Sequence, residues 1–241
     1  MSGHSKWSKV KRQKGITDMK KGRMFAKLSK LITLSVVEGG GIGDPEHNVK
    51  LRLMIEKARQ DNMPKENIER AIEKASGNNK DALREVHYEA FAKGGVAILI
   101  IATTDNPNRT TSEIKNVLDR HGSKLGAQGS VSYLFQHCMI AVLNKSQNTE
   151  EKIYEFAESM SAIDIEKEGE RFIVYIPFQN TGKLKNNSSN VVIESHEIEY
   201  KPTTVIEASK EHEQSIIELI EALENLDDVQ NVYTNCTFTT L

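Results

Sequence analysis

Cysteine is scarce in this chain: two in 241 residues, Cys138 and Cys236, far apart and both within strand-like segments. That usage fits buried thiols in a reducing compartment better than a disulfide framework. The seven histidines show no metal-ligand spacing with cysteine or with one another, so no metal site is expected. No apolar run approaches the roughly 18 residues of a membrane span. The run Leu31–Val37 is broken by Thr33 and Ser35 and ends in Glu38-Gly39-Gly40-Gly41, a helix stop rather than a secretory cleavage site. A transit peptide, also basic and acid-poor, is not excluded by composition. Two further absences are local. Residues 1–35 hold a single acid, Asp18, and residues 211–241 hold no Lys or Arg.

What fills the first 35 residues is basic. Lys6, Lys9, Lys11, Arg12, Lys14, Lys20, Lys21, Arg23, Lys27 and Lys30 give a local charge of +9 in a chain whose formal total is −2. A polyanion is the natural partner of such a segment. From Thr17, the apolar residues Met24, Phe25, Leu28, Leu31, Ile32 and Val36 mark one helix face. Lys20, Arg23, Lys27 and Lys30 form a basic stripe beside it, since successive residues turn by about 100°. Ahead of the helix, residues 1–16 read as an arm with one aromatic, Trp7, among lysines, suited to ordering on nucleic acid and stacking on a base. A merely solvated helix face is the bland alternative. The near-absence of acids favours nucleic acid. The C-terminal stretch carries seven acids. It reads as a solvated helix face, with contact to a basic partner, or to the chain's own basic arm, as the alternative.

The element order is legible. After the glycine loop at 39–43, Asp44 as N-cap with Pro45 behind it opens a second helix, and a third runs from Pro64 to Gly77. The glycine run lacks the Lys-Ser/Thr of a phosphate loop and follows a helix, so it is a linker. From His87 the period changes to strands, with Val96–Ile101 a continuous apolar run of a central strand. Thr110 and Glu113 have capping-box spacing ahead of a helix that ends near Gly122. Strands are expected at 130–135 and 203–208, a helix at 209–226 and a strand at 229–235. Between them, residues 139–200 read β-α-β-β-α-β. The fold class is therefore α+β: an N-terminal helical domain followed by two ferredoxin-like α/β modules, one inserted in the other. The expected domains are 1–80, 81–136 with 202–241, and the insert 137–201.

Several stretches resemble the YebC/PmpR family: Gly3-His4-Ser5-Lys6-Trp7, Asn62-Met63-Pro64-Lys65, Gly94-Gly95-Val96-Ala97, Thr104-Asp105-Asn106 with Asn108-Arg109-Thr110, Gly129-Ser130-Val131-Ser132, and Asp227-Asp228-Val229-Gln230-Asn231-Val232-Tyr233. They run from end to end in order. The resemblance implies a three-domain cytoplasmic protein, bacterial or organellar, with no catalysis and no cofactor. It also implies a role either as a DNA-binding transcriptional regulator or as a ribosome-associated factor that aids elongation through difficult sequences such as proline runs. Two departures stand out. Lys93 occupies the loop where the family pattern has proline, and the asparagine-rich segment 179–190 is poor in helix formers.

Three functions compete at this level. Duplex DNA needs base-reading side chains in a groove; the stripe offers phosphate contacts, which position without specifying. Structured ribosomal RNA suits the stripe and Trp7 equally, with Arg109 in the Asp105–Arg109 loop as a further contact; that loop reads equally well as an Asx turn capping the next helix. An enzyme needs convergent nucleophile, base and acid groups. His137 and Cys138 are neighbours on a strand and so face opposite sides. The candidate binding residues are thus Lys6, Trp7, Lys9, Lys11, Arg12, Lys14, Lys20, Lys21, Arg23, Lys27, Lys30 and Arg109, with no small-molecule substrate and no membrane.

Overall fold

A computed structural model describes residues 18–75, 83–188 and 190–238, without the side chains of 18–20, 185 and 186. They form two compact units. Residues 135–201 make one, and the residues before 135 and after 201 make the other.

In the larger unit α1 (Asp18–Glu38) is followed by α2 (Val49–Gln60) and α3 (Lys65–Lys74). Leu28, Ile32, Leu34 and Val36 of α1 are buried with Leu51, Ile55 and Ala58 of α2 and Ile68 and Ala71 of α3. The second helix starts later than Asp44 predicts. Asn48 is its N-cap, accepting from the Leu51 N–H at 3.0 Å, while its Nδ2 donates to the carbonyls of Ser35 and Ile42. One side chain thus closes α1, the loop and α2 together. Asp44 instead caps a separate turn through the Glu46 N–H. The Gly77 stop lies outside the described residues.

The sheet of this unit comprises β1 (Arg84–Phe91), β2 (Ala97–Thr104), β3 (Lys124–Leu125) and β9 (Val229–Thr234), in the order β3-β1-β2-β9 with every pairing antiparallel. Tyr88, Ala90, Ile98, Ile100 and Ala102 face α4 (Pro107–Arg120) and α7 (Lys210–Glu224), which contribute Ile114, Leu118, Ile216, Leu219, Ile220 and Leu223 to the core. Helix α1 packs against β2 as well. The strands expected at 130–135 and 203–208 do not complete this sheet. The first is a turn with a short 3₁₀ segment, Ser132–Leu134, and the second is only β8 (Ile206–Glu207), paired in parallel with β10 (Cys236–Thr237). The backbone N–H groups of Gly129, Val131 and Ser132 go to a side chain instead of a ladder, as described below.

The smaller unit is the inserted ferredoxin-like module. Its strands β4 (Phe135–Asn144), β5 (Asp164–Glu168), β6 (Arg171–Pro177) and β7 (Ile193–Pro202) lie in the order β5-β6-β4-β7. Helix α5 (Glu150–Ser159) has Thr149 as N-cap and packs Ile153, Phe156 and Ala157 on Met139, Ala141, Leu143, Phe172, Val174 and Ile176. The second helix of the module is reduced to a 3₁₀ segment, Phe178–Lys183, and the four-residue α6 (Leu184–Asn187). Asn180 and Asn187 explain this. Their amides donate to the carbonyls of Met160 and Ser159, bonds that hold an irregular segment in place of a regular helix.

Cys138 and Cys236 are both buried and unbridged. Burial pushes their thiols up, to about 12 and about 11. Because the thiolate is the nucleophile, neither is expected to alkylate in the native protein near pH 8. Stoichiometric labelling by iodoacetamide without denaturant, read by mass spectrometry, would contradict that burial.

Candidate nucleic-acid interface

Helix α1 presents its basic stripe next to its buried face, and the structure gives that stripe two different fates. Lys6, Trp7, Lys9, Lys11, Arg12 and Lys14 lie outside the described residues, and Lys20 falls in the first turn of α1. Lys21 and Arg23 are exposed. Arg23 reaches the Asn225 side-chain oxygen only at 3.5 Å. Further along, Lys27 Nζ donates to the Glu224 carbonyl at 2.6 Å. Lys30 Nζ donates to Asp228 Oδ1 at 2.7 Å and to the Asp227 carbonyl at 3.1 Å. The second half of the stripe is therefore seated on the turn between α7 and β9.

The reason lies in α7. Its last turn contains no basic residue, although the free carbonyls at a helix C-terminus favour cations. Lys27 supplies that cation from another helix. The acidic C-terminal stretch is thus more than a solvated face: part of it meets the chain's own basic segment, through α1.

Asp228 is the centre of this contact. Its side chain is 4% exposed. Oδ1 takes Lys30, while Oδ2 accepts from Arg109 at 2.8 Å, Thr110 Oγ1 at 2.7 Å and Thr104 Oγ1 at 3.2 Å. Burial by itself would raise the carboxyl's pKa. The hydrogen bonds from Lys30, Arg109 and Thr110 outweigh burial and hold it well below the usual carboxylate range. Arg109 also bonds Asp105 at 2.9 Å, and its guanidinium is held protonated more firmly than usual by Asp228 first and Asp105 second.

The loop before Arg109 is an Asx cap. Asn106 accepts from the Arg109 N–H and Pro107 takes the first helical position. The capping-box reading of Thr110 gives way to this earlier start. Thr110 sits inside α4, where its hydroxyl serves Asp228.

A second carboxylate, Glu89, organises the loop after β3. It is 4% exposed and accepts from the N–H groups of Gly129 at 2.7 Å, Val131 at 2.5 Å and Ser132 at 2.9 Å. Burial raises its pKa, but these backbone donors prevail and hold it low. Neither carboxylate was picked out as functional by sequence reasoning. For Asp228 the signal was available in the acid-only C-terminus opposite a basic N-terminus. For Glu89 no local signal exists.

Residues 5–78 match the TACO1/YebC protein N-terminal domain, and residues 83–236 match the TACO1/YebC second and third domain. The chain belongs to the TACO1/YebC family. A relative from Methylacidiphilum infernorum, named "Probable transcriptional regulatory protein", is 42% identical over 98% of this chain and 95% of its own length. Another of that name from Aquifex aeolicus is 41% identical over 98% and 95%. The crystal structure of the conserved hypothetical protein Aq1575 from Aquifex aeolicus superposes on this YebC-family chain with a TM-score of 0.81, at 39% identity over 92% of each chain. Among the described residues of the YebC-family chain, no helix is long and apolar enough to cross a membrane, and no group of three or more His, Cys, Asp or Glu could hold a metal ion.

Proposed function

We propose that this YebC-family chain is a non-enzymatic, cytoplasmic regulator of gene expression that binds duplex DNA through its basic arm and the exposed start of α1. One observation carries the reading. Ten bases face one acid in the first 35 residues, and the internal contact with α7 and Asp228 engages the second half of the stripe while Lys21 and Arg23 stay exposed. The names of its relatives, transcriptional regulatory proteins, support it. A second reading has its own support. Helix α1 contains no Asn or Gln, the side chains that read adenine in a groove. Backbone contact to structured ribosomal RNA, in a translation factor, suits such a helix equally well.

Charge reversal of Lys6, Lys9, Lys11, Arg12 and Lys14 to Glu should cut duplex affinity by orders of magnitude and flatten its salt dependence, by about 0.9 in log–log slope for each lost phosphate contact. An unchanged slope removes the arm from the interface. Competition between excess mixed-sequence duplex and purified ribosomes, resolved by sedimentation, separates the two targets. Co-sedimentation with ribosomes despite the DNA favours the translation factor, and displacement by DNA favours the transcriptional regulator.

A further inference from the structure

The other face of the β3-β1-β2-β9 sheet ends in a surface that the basic arm does not explain. In the β1–β3 pair Phe91 stands directly opposite Lys124, so the two side chains share a face. Both are exposed, Phe91 by 41%. Glu89 lies two residues before Phe91 on that same face. The loop from Gly126 to Tyr133 runs alongside. The Gly126 N–H donates to the Glu89 carbonyl at 2.7 Å, and a methyl group at Gly126 would come within 3.3 Å of the Phe91 ring. The Glu89 carboxylate then fixes Gly129, Val131 and Ser132, and the next residue, Tyr133, is 72% exposed.

Tyr133 is mounted on a loop whose backbone is held by three hydrogen bonds to one buried carboxylate. The segments that carry these rings hold no free carboxylate. Neither 90–95 nor 120–134 contains an Asp or Glu, and Glu89 itself is buried with its charge turned to backbone donors. Rigid exposed aromatics, a lysine and no exposed acid on these segments are what stacking on unpaired bases requires, because each base offers a π-face and its phosphate wants a cation.

We infer that the face bearing Phe91, Lys124 and Tyr133 binds unpaired nucleotides, with the two rings stacking on bases and Lys124 taking a backbone phosphate. This site uses no residue of the basic arm or α1 and stands or falls independently of them.

The test uses the full chain with labelled oligothymidylate and oligouridylate of about twelve nucleotides, a length that fits single-strand sites, and an abasic strand of the same backbone. Tyr133→Ala should weaken binding of a base-bearing strand about tenfold, a typical stacking loss, and leave the abasic strand and duplex DNA unchanged. Phe91→Ala should act in the same direction, Tyr133→Phe should retain affinity, and Lys124→Ala should lower the salt slope by about 0.7. Loss on either oligonucleotide supports the site and identifies its sugar. Loss on neither, or an equal loss on the abasic strand, overturns it. Both aromatics are solvent-facing, so these variants are expected to fold. Failure of the arm reading shows separately, as duplex binding retained by the charge-reversed arm.

Discussion

Replacing Lys30 and Arg109 together by Met should lower the unfolding free energy of the larger unit by about 3–5 kcal/mol, because a buried charge then loses both of its charged partners. The cost falls on Asp228. Lys30 and Arg109 are themselves 31% and 47% exposed and hydrate readily, whereas Asp228 would keep only the two threonine hydroxyls. Each single substitution leaves one cation in place and should cost less than half as much, so the pair should be non-additive. Asp228→Asn serves as the control. It removes the buried charge along with the ion pairs and should be milder than the double variant. Urea unfolding followed by circular dichroism measures all four. A double variant as stable as the wild type would mean that the contact of α1 with the α7–β9 turn is loose.

Substitution of Glu89 by Ala should cost about 3 kcal/mol, since three backbone donors lose a charged acceptor at a site with little access to water. The loss should be local before it is global. Hydrogen exchange should show the amides of Gly129, Val131 and Ser132 losing protection while those of β2 keep theirs. Unchanged protection at the three amides would contradict the anchoring role. The pH dependence follows from the same bonds. Glu89 and Asp228 both have folded-state pKa values depressed below 4.5 and 3.8, their ordinary values. Their contribution is therefore complete above the unfolded values and is lost as pH falls through the folded ones. Stability should decline on the acid side of about pH 4, and Glu89→Gln should shrink that acid limb.

The seating of Lys27 and Lys30 bears on how charge reversal of α1 is interpreted. Glu at these two positions places a carboxylate against the α7 carbonyls and against Asp228. A binding loss in such variants mixes lost phosphate contact with a weakened fold. Lys21 and Arg23, exposed on the same helix, report on nucleic acid with less interference.

Sequence by itself determined much of this protein. The three-residue and four-residue periods of α1, α3, α5 and α7, the apolar run of β2 and the β-α-β-β order of the insert are local patterns, and the chain follows them. The polarity of its charge, basic at the start and acidic at the end, is also written in composition. So is family membership, through motifs spread along the whole length. The tertiary structure decided what those charges meet. Lys30 and Asp228 are 198 positions apart, and no propensity or spacing connects them; packing of α1 against the sheet brings the stripe to the end of α7. The stretch 130–135 has a strand's composition, yet the N–H groups of Val131 and Ser132 are taken by Glu89, some forty positions earlier, and those of Ser130 and Leu134 by carbonyls of the same loop. A backbone donor satisfied by a side chain is no longer offered to a ladder, and only the folded chain shows which acceptor arrives first.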